Sequence, residues 1–242
     1  MSEAGSSARV PVRVALVGAT GLVGRKVIEI ASLGDEARIL GIARREAPLP
    51  PGARMEMFVA EPDKWAEVLE AVRPRALICA LGTTLKKAGG DQSAFRAVDF
   101  DLVLKTAEAA KAAGVPNMVL VSAAGADARS KSFYMRVKGE AEDAVSRVGF
   151  KRLDILHPGL LRGERVDDLR FAERAAIIAA PLIDPLLSGK WERFRSIDAA
   201  LVAEAALGLA LRRAGGRFTH DNEAMRRAAR EWRRVRETGE EA

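Results

Sequence analysis

Two side chains with complementary acid–base chemistry stand four residues apart in the middle of the chain. Tyr134 is the only tyrosine, and Lys138 follows it at a spacing that places both side chains on one face of a helix. A phenol titrates near pH ~10 and exchanges protons poorly at neutral pH, but an adjacent ammonium stabilises the phenolate. Ser122 precedes the pair at the end of an apolar run, where its hydroxyl can hold a carbonyl oxygen in front of the tyrosine. These residues predict proton transfer to or from a carbonyl or alcohol, although a core tyrosine beside a solvated lysine gives the same pattern.

A second chemical pattern lies near the N-terminus, where glycines recur every third residue at Gly18, Gly21 and Gly24. An apolar run over Val12–Val17 precedes them, and an amphipathic run over 22–33 follows. Strand, tight turn and helix in this order are the context that a dinucleotide-binding fingerprint requires. Glycine permits a positive φ and a close approach of the pyrophosphate, and the N–H groups at the helix start favour its negative charge. A plain strand-to-helix turn is the alternative.

The choice of nucleotide depends on the residues that follow the second apolar run. NAD enzymes usually place an acidic residue there to bind the ribose 2′-hydroxyl. In this chain Arg44 and Arg45 occupy that place, and no acidic residue comes before them at the end of the run. Two guanidinium groups suit a 2′-phosphate, which they bind through charge-assisted and often bidentate hydrogen bonds. The sequence therefore predicts NADP (NADPH) as the cofactor, with a solvated arginine pair as the alternative.

Alternating strand and helix patterns must position these residues. Strand-like apolar runs and helical patterns follow one another, which predicts an α/β fold with a Rossmann-type, doubly wound parallel sheet. The strand-like runs are 12–17, 38–43, 55–59, 76–81, 117–122 and 153–157, and the helical patterns are 22–33, 63–72, 100–113 and 134–148. Ligands bind such sheets at the carboxyl ends of the strands. We expect residues 1–10 to be a disordered lead-in and 11–242 a single NAD(P)-binding domain, with 159–242 as a small C-terminal substrate lobe.

Composition narrows the class of protein. The 242 residues are 48% hydrophobic, with one cysteine, two histidines and a net charge of +6. No apolar run reaches the ~20 residues that span a membrane, and no metal-ligand cluster is visible. Cys79 lies in an apolar run, which indicates a buried thiol. With no signal-peptide pattern at the start, we expect a cytoplasmic protein that is a monomer or weak homodimer.

The excess positive charge is concentrated near the end of the chain, in the stretch 225–236. Glutamates are interspersed with its arginines, so a solvated helical face explains it. Binding of nucleic acid calls for a basic face with aromatic side chains for stacking, and Trp232 alone is available in this stretch. Nucleic acid is therefore a disfavoured partner. The positive net charge is also compatible with a small ligand that carries several phosphates.

These motifs together resemble the short-chain dehydrogenase/reductase superfamily over residues 12–163. The spacing of the glycines is that of the extended and atypical branches. The segments 79–84, 87–89 and 98–99, together with 137–140, are similar to those of the TIP30/CC3-like atypical members. The resemblance implies an oxidoreductase that transfers hydride between the nicotinamide and a carbonyl or alcohol substrate. Together with the arginine pair it predicts an NADP-dependent enzyme.

The resemblance also implies a role for each matching residue. Ser122 would orient the substrate carbonyl, Tyr134 would act as general acid, and Lys138 would hold the nicotinamide ribose. The remaining cofactor contacts would come from the glycine loop, the end of the fourth strand and the proline–glycine after the sixth, namely Gly18, Thr20, Gly21, Leu22, Val23, Gly24, Gly82, Thr83, Pro158 and Gly159.

The chain departs from the family pattern at two positions. Asp99 stands where the family has the asparagine of its catalytic tetrad, and His157 stands where many relatives have arginine. We interpret His157 as a packed residue at a strand end. Because of Asp99, a sensor or regulatory scaffold that binds NADP(H) without catalysis is the second hypothesis. A third, nucleic-acid binding through the basic C-terminal helix, is the least favoured.

Overall fold

The computed structural model describes residues 10–46, 49, 52–53, 55–163 and 194–238. Apart from Val10, the predicted lead-in lies outside these residues. So do residues 164–193 of the predicted substrate lobe.

One parallel sheet of seven strands organises the described residues. Its strand order is β3-β2-β1-β4-β5-β6-β9, and every neighbouring pair is parallel. The strands are β1 (Val12–Val17), β2 (Ala37–Ala43), β3 (Met55–Val59), β4 (Ala76–Cys79), β5 (Asn117–Val121), β6 (Arg152–Leu156) and β9 (Gly216–His220). Two further short strands, β7 (Leu161–Arg162) and β8 (Ile197–Asp198), pair with each other. This order is that of a doubly wound sheet, so the predicted Rossmann-type fold is confirmed.

The central strands are apolar on both faces, as a sheet covered on both sides requires. In β1, Val14 and Leu16 belong to one buried cluster, whereas Ala15 and Val17 belong to the other. Successive side chains of a strand point to opposite faces, so one run of valine, alanine and leucine supplies both cores. β4 and β5 are buried along their whole length.

Helices cover the two faces of the sheet. α1, α6 and α7 contribute to the cluster on one face, and α2, α4 and α5 contribute to the cluster on the other. The helices are α1 (Leu22–Ala31), α2 (Trp65–Val72), α3 (Gln92–Arg96), α4 (Val103–Ala112), α5 (Phe133–Val148), α6 (Ala199–Ala210) and α7 (Asn222–Thr238). A 3-10 turn, Pro62–Lys64, precedes α2, and a π-helical segment, Ala97–Leu102, joins α3 to α4.

The sheet extends further than the sequence analysis predicted. β9 pairs with β6 as a seventh strand, and its residues are mostly exposed because it lies at the edge. The basic stretch 225–236 is the middle of α7, whose buried face includes Met225 and Trp232. Part of the region predicted as a substrate lobe thus belongs to the main sheet and its helical layer. The domain bounds 11–242 stay a prediction.

Candidate cofactor and catalytic site

The carboxyl ends of β1, β4 and β5 open on a cavity of about 230 Å³. It contains most of the residues that the sequence analysis selected. Those that line it are Thr20, Gly21, Leu22, Val23, Gly82, Thr83, Ser122, Tyr134 and Lys138. Residues from four distant parts of the chain therefore meet at the sheet edge where ligands of this fold bind.

The glycine loop works by close backbone contact. Gly18 has φ +92°, and a Cβ there would lie 2.4 Å from the carbonyl oxygen of Ala80. A Cβ on Gly24 would lie 2.2 Å from the carbonyl oxygen of Gly18. Both glycines lie beneath the cavity and let β1, α1 and the end of β4 approach one another.

Gly21 has a different role from the other two glycines of the loop. It lines the cavity at the N-cap of α1, and no side chain caps the helix there. The first N–H groups of α1 are therefore available to an anion, and the helix dipole favours one. The cradle fits the pyrophosphate of a dinucleotide.

Tyr134 and Lys138 both reach the cavity from the first turns of α5. The Tyr134 ring packs against Phe95, with ring centroids 5.5 Å apart. Lys138 is buried, and its Nζ lies 2.7 Å from Oδ1 of Asp99. Burial by itself disfavours the ammonium, but the nearby Asp99 carboxylate outweighs that cost and raises the pKa of Lys138 above its ordinary value. Lys138 is thus a fixed positive charge beside the phenol.

Asp99 lies in the π-helical segment, and its side chain is fully buried. Its second oxygen, Oδ2, accepts a hydrogen bond of 2.8 Å from the backbone N–H of Thr83. Single π-helical turns often mark functional sites. This aspartate thus connects Lys138 to the loop after β4.

Ser122 lies at the end of β5, and its hydroxyl donates a hydrogen bond to Oε1 of Glu142. Nε2 of His157 lies 2.9 Å from the same oxygen. Glu142 extends the series that begins with Tyr134 and Lys138, since each follows the last by four residues along α5. His157 is the packed strand-end residue that the sequence analysis expected, and it also contacts this carboxylate. In this arrangement the Ser122 proton is directed to Glu142, so a substrate carbonyl must compete for it.

Besides Gly18 and Gly24, four of the predicted cofactor residues lie outside the wall of this cavity. Arg44 and Arg45 follow β2 and are exposed to solvent. Pro158 is buried after β6, and the N–H of Gly159 donates to Oδ1 of Asn222. A Cβ on Gly159 would lie 2.1 Å from the carbonyl oxygen of Arg195, so the position needs glycine for packing.

Sequence reasoning missed several residues of the wall. Glu142, which contacts Ser122 and does not line the cavity, was missed too, although its spacing from Tyr134 and Lys138 was a usable signal. Arg25 carried one too, because it directly follows the last glycine of the loop. The other missed residues of the wall are Ala80, Leu81, Thr84, Lys87, Val121 and Leu161.

The described residues contain no group of three or more His, Cys, Asp or Glu side chains that is arranged to hold a metal ion. No helix among them has the length and apolar character needed to cross a membrane.

Comparison with known proteins gives a family match. The profile of a family described as NAD(P)H-binding matches residues 18–176. The chain is 36% identical over 206 residues to "Protein fmp52, mitochondrial" of Aspergillus clavatus, which covers 82% of this chain and 87% of the relative. It is 38% identical over 155 residues to the Saccharomyces cerevisiae protein FMP52, covering 63% and 67% of the two chains.

Solved structures resemble the fold at low sequence identity. The WbmG enzyme of Bordetella bronchiseptica in complex with NAD matches with a TM-score of 0.63 and 17% identity, covering 91% of this chain and 74% of that one. UDP-glucose 4-epimerase of Thermotoga maritima matches with a TM-score of 0.65 and 13% identity, covering 95% and 84%. At such identities the likeness concerns the fold alone.

These matches correct one prediction and leave another open. The predicted cytoplasmic location is contradicted, because the relatives are named as mitochondrial proteins. The epimerase neighbours share the fold, and the family match is to NAD(P)H-binding proteins. The finer assignment to TIP30/CC3-like members stays a prediction.

Proposed function

The chain belongs to the NAD(P)H-binding family, and from that premise we propose that it is an NADP-dependent oxidoreductase acting on a small carbonyl or alcohol substrate. The observation that carries the proposal is the placement of Tyr134 beside a buried, ion-paired Lys138, in a cavity that opens at the uncapped start of α1.

The glycine loop and α1 would hold the pyrophosphate. Gly21, Leu22 and Val23 offer backbone N–H groups at the helix start, and the guanidinium of Arg25 adds positive charge in the same wall. The loop after β4, with Gly82 and Thr83, would lie along the ribose. The Asp99 carboxylate supports this arrangement, since it fixes the backbone of Thr83.

Preference for the phosphorylated nucleotide would come from the end of β2. β2 pairs directly with β1, so Arg44 and Arg45 follow a strand next to the glycine loop and at the same edge of the sheet. Both are exposed, and their guanidinium groups would bind a 2′-phosphate on the adenosine side. The cavity wall and the family match do not distinguish NADP from NAD. The proposed preference for NADP therefore rests on the positive charge of Arg44 and Arg45.

The chemistry assigned to the side chains is proton transfer. When bound, the nicotinamide supplies or accepts the hydride. Tyr134 would donate the proton to the carbonyl oxygen in the reducing direction, and the fixed ammonium of Lys138 would stabilise the phenolate that remains. Ser122 would hold the substrate oxygen once its hydroxyl turns from Glu142.

The proposal is tested by following oxidation of NADPH against a panel of aldehydes and ketones. We expect Tyr134→Phe to abolish turnover while NADPH affinity stays within about twofold, because the ring keeps its packing on Phe95. Normal turnover by this variant would remove Tyr134 from the mechanism.

A second candidate function is an NADP(H)-binding sensor or regulatory scaffold without catalysis. One observation favours it: the hydroxyl of Ser122 is engaged by Glu142 instead of facing the cavity unpaired. If the sensor hypothesis is right, NADPH binds but no substrate of the panel is turned over. Tyr134→Phe then leaves the function unchanged, and replacement of Gly21 by a bulky residue abolishes it.

A further inference from the structure

A second cavity, of about 500 Å³, lies at the opposite edge of the sheet. Val12 and Arg13 begin β1, Glu36 precedes β2, and Arg75 precedes β4, so the cavity lies at the amino ends of the strands. The proposed cofactor cavity lies at the carboxyl ends. Small-molecule sites commonly have volumes of ~300–1,000 Å³. The second cavity is therefore large enough for an organic ligand of its own.

One wall of this cavity is apolar. Trp232 of α7, Val235, Leu211 and Pro11 line it. Gly208 of α6 allows this arrangement, because a Cβ there would lie 3.1 Å from Cβ of Trp232. Trp232 is only 3% exposed, and its Nε1 has no hydrogen-bond partner among the described residues. A buried indole N–H usually has a partner, so this wall has a polar group left to satisfy.

The other side of the cavity carries positive charge. Arg13, Arg73 and Arg75 line it with exposed side chains, and no ion pair joins any of the three to an acidic group in the described ranges. The backbone N–H of Arg75 donates to the carbonyl oxygen of Arg13 at 2.8 Å, which keeps these two residues side by side.

The acidic residues of the wall are in part already engaged. Glu231 pairs with Arg212, and Glu36 pairs with Arg236 at 3.5 Å. The positive charge of Arg13, Arg73 and Arg75 therefore stays available to an anionic ligand.

The backbone of Arg73 adds an independent observation. Arg73 has φ +44°, and within the described ranges no other residue except glycine has a positive φ. It ends α2, at a position that glycine or asparagine fills at lower cost. Because an arginine keeps a conformation that glycine adopts at lower cost, the position supports a role for the Arg73 side chain.

We propose that this cavity binds an amphipathic organic anion. Its apolar body would pack on Trp232, Val235 and Leu211, and its phosphate, carboxylate or sulfonate group would contact Arg13, Arg73 and Arg75. The site goes beyond the proposed oxidoreductase function and does not depend on it, since the two cavities share no residue.

The test uses 8-anilinonaphthalene-1-sulfonate, an apolar anion whose fluorescence rises on binding, titrated into the full chain with excess NADPH present. We expect one saturable site that NADPH does not displace. Arg73→Gly should weaken binding about fivefold, and Arg13→Gln with Arg75→Gln about tenfold or more. Arg230→Gln, on an exposed position of α7 outside the cavity, is the matched control and should change nothing.

Arg73→Gly is chosen because it relieves the positive φ, so its thermal midpoint should not fall and a loss of affinity is not a loss of fold. Val235→Asp, on the partly exposed apolar wall, should abolish binding. The proposal would be overturned if NADPH displaced the probe. It would also be overturned if Arg73→Gly and Val235→Asp left the affinity for the probe unchanged, and the binding would then be adventitious only. Affinity for NADPH, measured in the same variants, reports separately on the proposed cofactor site.

Discussion

Nζ of Lys138 and Oδ1 of Asp99 form a buried ion pair at 2.7 Å, with 7% and 0% of their side chains exposed. The lysine comes from α5 and the aspartate from the π-helical segment before α4, so the pair connects two helices beneath the cavity. Because Asp99 also accepts the N–H of Thr83, one carboxylate positions both a candidate catalytic cation and a candidate cofactor-binding loop.

Asp99→Asn separates the charge of this residue from its role as acceptor. The asparagine oxygen can still accept from Thr83, but Lys138 is left as an unpaired buried cation, and we expect a loss of about 3 kcal/mol in the free energy of unfolding. The pKa of Lys138, raised by Asp99 in the native chain, should fall. Urea unfolding measures the loss. Asp101→Asn, at an exposed position of the same segment, is the control and should change the free energy of unfolding little. Equal losses of stability in the two variants would contradict this account.

Ser122 and Glu142 should be energetically coupled. The hydroxyl donates to a carboxylate that is 14% exposed, and hydrogen bonds to charged groups are among the stronger ones. A double-mutant cycle of Ser122→Ala and Glu142→Ala, measured by unfolding, should give a coupling of about 1–2 kcal/mol. Additive effects of the two substitutions would mean that the hydrogen bond contributes nothing to stability.

Cys79 should lower the free energy of unfolding of the chain at alkaline pH. Burial raises the pKa of its thiol from 9.0 to about 11. The unfolded chain therefore releases this proton at a lower pH than the native one, and stability is lost as pH rises through this window. Between about pH 8 and about pH 10 the Cys79 contribution to the unfolding free energy should fall by about 1 kcal/mol.

Cys79→Ala is the comparison for that prediction. It removes the titrating group, so the free energy of unfolding should fall less steeply with pH than in the native chain. The native thiol should also resist alkylation until the protein unfolds, because it is fully buried. Identical pH slopes for the two proteins, or rapid alkylation of the folded chain, would contradict the assignment.

Gly24→Ala tests the packing of the glycine loop. Its Cβ would lie 2.2 Å from a backbone oxygen, so α1 must shift, and we expect a loss of about 2 kcal/mol together with loss of NADPH binding. Gly82→Ala is the matched control inside the same site, because its Cβ would meet Asp99 and Lys138 atoms at an ordinary 3.6 Å. It should leave stability unchanged within about 0.5 kcal/mol. A Gly24→Ala variant that is fully stable would show that the loop adapts.

Local pattern was enough to predict part of this site. The apolar run of the first strand, the spacing of the glycines and the helical pattern at 22–33 are all short-range signals. The structure has a strand, a turn and a helix in these places. Tyr134 and Lys138 share a helix, so their common face follows from spacing alone. Ser122 joins them because the carboxyl ends of parallel strands meet at one edge.

Other features depend on contacts that no local pattern contains. The pairing of Asp99 with Lys138 joins residues from two helices, and it requires a π-helical turn that the periodicity of 100–113 does not reveal. β9 escaped prediction because it is an exposed edge strand without apolar alternation. The engagement of Ser122 by Glu142 depends on which rotamers fit at the sheet edge, and that is decided by packing.

The central claim is tested most directly by a fluorescence titration of the purified chain with NADPH and, in parallel, NADH. We expect tighter binding of NADPH, with its affinity reduced about tenfold or more by Arg44→Ser with Arg45→Ser, while NADH affinity stays the same. Arg147→Ser, at an exposed position near the end of α5, should leave both affinities unchanged. Equal or tighter binding of NADH would contradict the assignment of NADP, and failure of the folded protein to bind either nucleotide would contradict the oxidoreductase function.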